Sequence, residues 1–221
     1  MVTSYGEVSY SDEFPSNKRF DSSKDVWFRL DNGDNELRLV TLPFQYLTHK
    51  VKKDPLDKRD FGQKVNCSAP NGSCPACAFG EAKPRYLYGA ISRKDGTYRI
   101  LDISLNTFLQ IRKLAQNVAR WGDPTKYDIN IIKDPTAGPA GFYSVQPLPK
   151  EPLSAADQQI RDNANVELLK RQTVPPTPEF VQRRLDKIFE GTTQPLASKK
   201  TSGKVDVTDT DDSEDFPAYG N

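Results

Sequence analysis

The chain has 221 residues, 36% hydrophobic and 28% charged, with 17 prolines and a mean hydropathy of −0.69; it can bury one core but is too polar to pack from end to end. No apolar run approaches the roughly 18–20 residues of a membrane span, and the start lacks a basic flank followed by an apolar stretch, so we expect no membrane partner and a reducing cytoplasm. The net charge of +1 is uneven: from Val205 onward there are six acidic residues and no basic one, which leaves 31 basic against 24 acidic residues before it. A basic body with an acidic tail points to a polyanionic partner and a tail that mimics it, although acidic tails also serve solubility alone.

Residues 1 to 24 are rich in Ser, Asp and Lys without periodicity and read as a mobile arm. Residues 26 to 30 and 36 to 42 read as strands joined at Asn32-Gly33, a hairpin signal, and Pro43 ends the second. Residues 43 to 84 carry His49, all three cysteines and several lysines but too little apolar surface for a core, so they read as an insertion held by something other than burial. Residues 86 to 93 and 97 to 103 form the clearest hairpin, turning at Lys94-Asp95-Gly96. Ser104 then caps a helix expected over 105 to 119, with Leu105, Phe108, Leu109, Ile111, Leu114 and Val118 at helical spacing, and Trp121-Gly-Asp-Pro124 stops it.

Two more strands follow, at 127 to 132 and 141 to 146. Strands, helix, strands is the order of a five-stranded Greek-key barrel of the OB type, here elaborated. The segments number six, so the first two are either one long interrupted strand or an added hairpin. Ser154 and Asp157 resemble a capping box opening a helix to about 171, residues 174 to 178 form a stiff Pro-rich linker, and Thr177 with Pro178 opens a last helix that Gly191 ends. The expected organisation is an arm at 1–24, an OB core at 25–150 with the insertion at 43–84, a helical extension at 151–191 and a disordered acidic tail at 192–221.

Three cysteines cannot pair fully within one chain. Cys74-Pro-Ala-Cys77 is a knuckle that turns two thiolates toward one ion, and Cys67 with His49 completes a set of four ligands of the types a structural zinc site uses. A redox pair, or three free cysteines with a surface histidine, are the alternatives. If His49 holds metal it cannot act as a general base, and no Walker loop, G-x-S-x-G elbow or H-E-x-x-H is present, so no enzyme is expected. Cations lie among aromatics, as binding to single-stranded nucleic acid requires: Tyr46, Lys50, Lys52, Lys53, Lys58, Arg59 and Lys64 in the insertion, and Arg85, Tyr86, Tyr88, Arg93, Tyr98 and Arg99 in the hairpin. Tyr86 and Tyr88 share one strand face, with Tyr98 expected opposite one of them; that face is a stacking platform if open and core if it faces the barrel. Leu87 and Ile91 on the other parity would then be the core set.

The order His49, Cys67, Cys74-x-x-Cys77, the tyrosine-rich hairpin, Trp121-Gly-Asp-Pro124, Tyr127-Asp-Ile-Asn-Ile131 and the acidic end together resemble the zinc-containing, helix-destabilising single-stranded DNA-binding proteins of large tailed phages, the T-even type. The resemblance covers about residues 25 to 150 plus the tail; the His-to-Cys spacing is longer here and the first Cys-to-Cys gap shorter. It implies an OB core that coats and protects single-stranded DNA during phage replication, recombination and repair, in the cytoplasm of the infected bacterial host. It also implies cooperative self-association on DNA and an acidic tail that recruits replication and recombination proteins. A zinc-stapled transcription or recombination adaptor, binding duplex DNA or a protein, is the alternative.

Overall fold

The computed structural model describes residues 26–57 and 60–190. The expected arm at 1–24, Lys58, Arg59 and the tail at 192–221 lie outside the described residues, which are mainly β. The strands are β1 (Glu36–Leu39), β2 (Phe44–Val51), β3 (Gln63–Asn66), β4 (Lys83–Ser92), β5 (Tyr98–Ser104), β6 (Asp128–Lys133) and β7 (Tyr143–Pro147). The helices are α1 (Leu105–Gln116), the single turn α2 (Gly138–Gly141), α3 (Ala155–Asp162), α4 (Val166–Thr173) and α5 (Pro178–Ile188). The seven strands form one antiparallel sheet in the order β3-β2-β4-β1-β6-β7, with β5 on the remaining edge of β4. No described helix is long and apolar enough to cross a membrane.

β1 and β2 follow one another along the same edge of β4. Between the pairs Leu39↔Ala90 and Phe44↔Leu87 the first strand advances five residues while β4 advances three, so the chain bulges at Val40–Pro43. The bulge is held by Val40 N–H on the Gly89 carbonyl and by Gly89 N–H on Thr41 Oγ1, at 2.9 and 2.8 Å. Gly89 permits this approach, because a Cβ there would lie 2.6 Å from Tyr98 Oη and 2.8 Å from Thr41 Cγ2. β1 and β2 thus form one long, bent strand that runs into the expected insertion, whereas the first two sequence segments, 26–30 and 36–42, make neither one strand nor a hairpin.

The hairpin expected between residues 26–30 and 36–42 does not form. Phe28 N–H donates to the Ile100 carbonyl and Ile100 N–H to that of Val26, which lays residues 26–28 along β5 in a parallel bridge. Asn35 decides the turn: its Oδ1 accepts from Asp31 N–H and its Nδ2 donates to the Ile131 carbonyl, while Gly33, at φ +89°, pairs with Lys133. The chain is thereby directed to β6 rather than back onto itself. At the other rim, Gln110 of α1 donates to the Tyr143 carbonyl and accepts from Val145 N–H, filling hydrogen bonds that a further strand would make on β7. Among the described residues β5 and β7 share no ladder.

β4 is covered on both faces. Tyr86, Tyr88 and Ala90 join Leu37, Leu39, Leu101, Ile103, Ile111, Ile129 and Ile131 in the main core. On the opposite face Leu87 packs with Tyr46, Ile100 and Leu169 of α4. The helix expected over 154–171 is broken into α3 and α4 because Asn165 starts a new helix, its Oδ1 accepting from Leu168 N–H at 2.9 Å. α3 is tied to the sheet by a network in which Arg38 and Arg93 both bind Asp128, and Arg93 also binds Asp157 at 2.8 Å. α5 packs elsewhere, on Val51, Val65 and Ala76.

Candidate metal centre and the lysine face beside it

The segment 43–84 is not wholly an insertion, since it opens with β2, a strand of the main sheet. Successive residues of a strand point to opposite faces, and β2 uses both. His49 and Val51 face one side; Tyr46, Thr48 and Lys50 face the other. His49 lies opposite Val65 of β3, and Cys67 prolongs that ladder through its N–H on the Leu47 carbonyl, 2.8 Å. The chain then turns through residues 69–71 and 75–79, where Cys77 N–H on the Cys74 carbonyl closes the knuckle at 3.1 Å.

The result gathers the four predicted ligands, with all ligand atoms within 4.8 Å of one another. Cys74 Sγ and Cys77 Sγ each lie 3.6 Å from His49 Nε2. A tetrahedral ion with bonds of about 2.3 Å to sulfur and 2.0–2.1 Å to nitrogen sets that separation at about 3.6 Å. His49 Nδ1 lies 3.0 Å from the Gly80 carbonyl, the kind of outer partner that leaves Nε2 free to ligate. Cys67 Sγ accepts from Ala69 N–H, and Cys74 from Ala76 N–H, in each case the amide two residues on. Burial pushes the Cys67 thiol up to about 11, whereas at Cys74 burial is outweighed by hydrogen bonds from Ser68 and Ala76, which bring it down to about 6. A metal ion would displace the thiol protons that the cluster retains.

The predicted nucleic-acid residues divide. Tyr46, Lys64 and Arg85 converge on Asp102: Tyr46 Oη donates at 2.8 Å, Arg85 Nε at 2.9 Å, and Lys64 Nζ bonds both Asp102 and, at 3.2 Å, Tyr46 Oη. Burial and the Asp102 charge hold the Tyr46 phenol neutral. Burial also opposes the charge on Asp102, yet Arg85 and Lys64 keep its carboxyl below the ordinary range.

The stacking platform expected of the tyrosines is not an open surface. Tyr86 is 8% exposed and stacks on Phe108 of α1, ring centroids 3.7 Å apart; Tyr88 is buried beside it. Tyr98 lies opposite Ile91, on the face away from both. The physical reason is that β4 is central and, from Arg85 to Ser92, covered on both faces, so neither parity is free where the tyrosines lie. Arg93 is engaged by Asp128 and Asp157, and Arg99 by Asp95. Lys50 and Lys53 are exposed and Lys52 half-buried.

Register shows what parity alone did not. Lys50 lies opposite Lys64, Thr48 opposite both Asn66 and Lys83, and Tyr46 opposite Arg85. One face of β3, β2 and β4 therefore carries Lys50, Lys64, Lys83 and Arg85, with Asp102 of β5 at its inner border. Lys83 is exposed and was missed, its cue being only its place beside Thr48. The stems of Lys50 and Lys52 flank Gly62, next to Phe61, which is 46% exposed. Comparison with family models, with curated proteins and with solved structures finds no match to this chain.

Proposed function

We propose that the protein binds single-stranded DNA without sequence preference, through the lysine face of β3, β2 and β4, and that a structural zinc ion on the opposite side of β2 holds that face in shape. The observation that carries the reading is the cross-strand register that puts Lys50, Lys64 and Lys83 on one surface, with Lys52 at its rim. Such a surface tracks a phosphate backbone and releases its counterions. Zinc suits the donor set, because three cysteines and one histidine fill all four tetrahedral positions and leave none for substrate. An elaborated OB barrel is supported by the strand order, the bent β1–β2 strand and a helix between the hairpin and β6. By the resemblance, the protein serves replication, recombination and repair in phage-infected cells, and its acidic tail recruits partner proteins and competes with DNA for the lysines.

One observation favours a second reading. With Tyr46, Tyr86 and Tyr88 buried, Phe61 is an aromatic next to the lysine face that remains half open for a base, and a mainly electrostatic surface suits duplex DNA as well. Fluorescence anisotropy with labelled oligo-dT and with a matched duplex, over a salt series, separates the two. Tighter, salt-sensitive binding to the single strand is expected, and Lys50→Ala and Lys83→Ala should each lower the slope of log K against log salt by about 0.7. Equal or better binding to duplex would replace single-strand binding with the adaptor reading.

A further inference from the structure

α5 has an unusually narrow seat. Its buried side chains Val181, Leu185 and Ile188, with Phe189 just past its end, pack on Val51, Val65 and Ala76, with Cys74 and Phe79 at the margin, and enter neither of the other two clusters. Every residue of that seat is a ligand or stands within two positions of one: Val51 follows His49, Val65 precedes Cys67, Ala76 sits between Cys74 and Cys77, and Phe79 follows Cys77. Phe79 stacks on Phe189 with ring centroids 5.1 Å apart. Both ends of α5 are tied to the same unit, through Asn71 Nδ2 on the Pro175 carbonyl at 2.8 Å and Lys53 Nζ on the Glu190 carbonyl at 3.3 Å. Without a fixed arrangement of the four ligands, the short β3 and the two turns have no reason to hold this seat together.

We propose that α5 and the metal centre form one cooperative unit: α5 docks only while His49, Cys67, Cys74 and Cys77 share an ion, and docked α5 in turn retains the ion. This rests on the reading of the cluster as a metal site. Linkage makes the two effects equal in free energy, since whatever metal does for docking, docking does for metal. Lys53 follows Lys52 at the rim of the lysine face, so its bond to the Glu190 carbonyl anchors the end of the described chain next to the proposed DNA face. Loss of metal would release that anchor.

The test uses the full chain with zinc bound. The equilibrium partition of zinc between protein and a chelating colorimetric indicator is compared for wild type, Leu185→Ala and Phe180→Ala; Phe180 is on the same helix but 56% exposed. Leu185→Ala should bind zinc about 5- to 150-fold more weakly, and Phe180→Ala as tightly as wild type. In parallel, amide exchange of wild type with and without chelator should show α5 losing protection while β4 and β5 keep theirs, a readout that does not depend on how well the variant folds. An unchanged zinc affinity in a folded Leu185→Ala, or an α5 that stays protected without metal, would overturn the coupling alone. A protein that takes up no zinc overturns the metal reading, and the coupling with it.

Discussion

Around β4, β5 and β6 the core gathers Leu37, Leu39, Leu101, Ile103, Ile129 and Ile131, all essentially water-free and drawn from neighbouring strands, with α1 laid across them. At the far end of β2 the sheet contributes only Val51 and Val65, the knuckle adds Ala76, and the cluster is completed by a helix more than a hundred residues further along the chain. The first region can stand on hydrophobic burial alone. The second is smaller, and on the proposed metal reading its short strand and tight turns depend on bonds between side chains that an ion would supply. On that reading one sheet holds two regions with different sources of stability, and β2, paired with both β3 and β4, joins them.

The strongest attempt to break that contrast is Cys77→Ser. Structural zinc in small fingers carries an apparent ~10–16 kcal/mol of folding free energy, so the variant should lose its ion, and residues 63–80 should exchange freely while β4 and β5 remain protected. Amide exchange with a zinc assay checks this. A metal-free variant with an intact knuckle would show that burial, not ligation, holds that end.

Asp102 lies where the regions meet, joining Tyr46 and Lys64 of one to Arg85 of the other. Asp102→Asn leaves Arg85, which is buried, without its counter-charge and should cost about 3–5 kcal/mol near neutral pH. The folded carboxyl titrates below its ordinary value, so its contribution is fully present above the unfolded value of about 3.9 and is lost as pH falls through the folded one. Denaturant midpoints measured from pH 7 down to 2.5 should therefore show a shallower acid limb in Asp102→Asn than in wild type.

Gly89→Ala is the smallest of these changes and belongs to the burial-held region alone. Its Cβ meets Tyr98 and Thr41 below 3 Å, an overpacking that costs about 1–3 kcal/mol. The melting temperature should drop while zinc content stays at one equivalent; loss of zinc in this variant would mean that the two regions are not separable.

The hairpin at β4 and β5, the Ser104 and Thr177 caps and the set His49, Cys67, Cys74 and Cys77 were legible because each depends on residues near in sequence or on rare residue types. What was not legible depends on partners far away. The Asn32-Gly33 signal is real as a local turn, but Asn35 reaches Ile131 and overrides it. Alternation in 86–91 correctly separates two faces, but cannot reveal that α4, from the other end of the chain, covers the second. Residues 44–51 show no clean alternation of apolar and polar residues and read as part of the insertion, because the apolar residues that accept Val51 are in α5.

The alternation of β2 has a further consequence for assembly of the sheet. A slip of one residue against β3 would turn Lys50 toward the cysteines and His49 toward the lysines. His49 is the chain's single histidine, so the slipped pairing has no imidazole to offer an ion. Polar strands are the ones most prone to such slippage, and here an ion that closes on one alignment only would act as a proofreader of strand pairing.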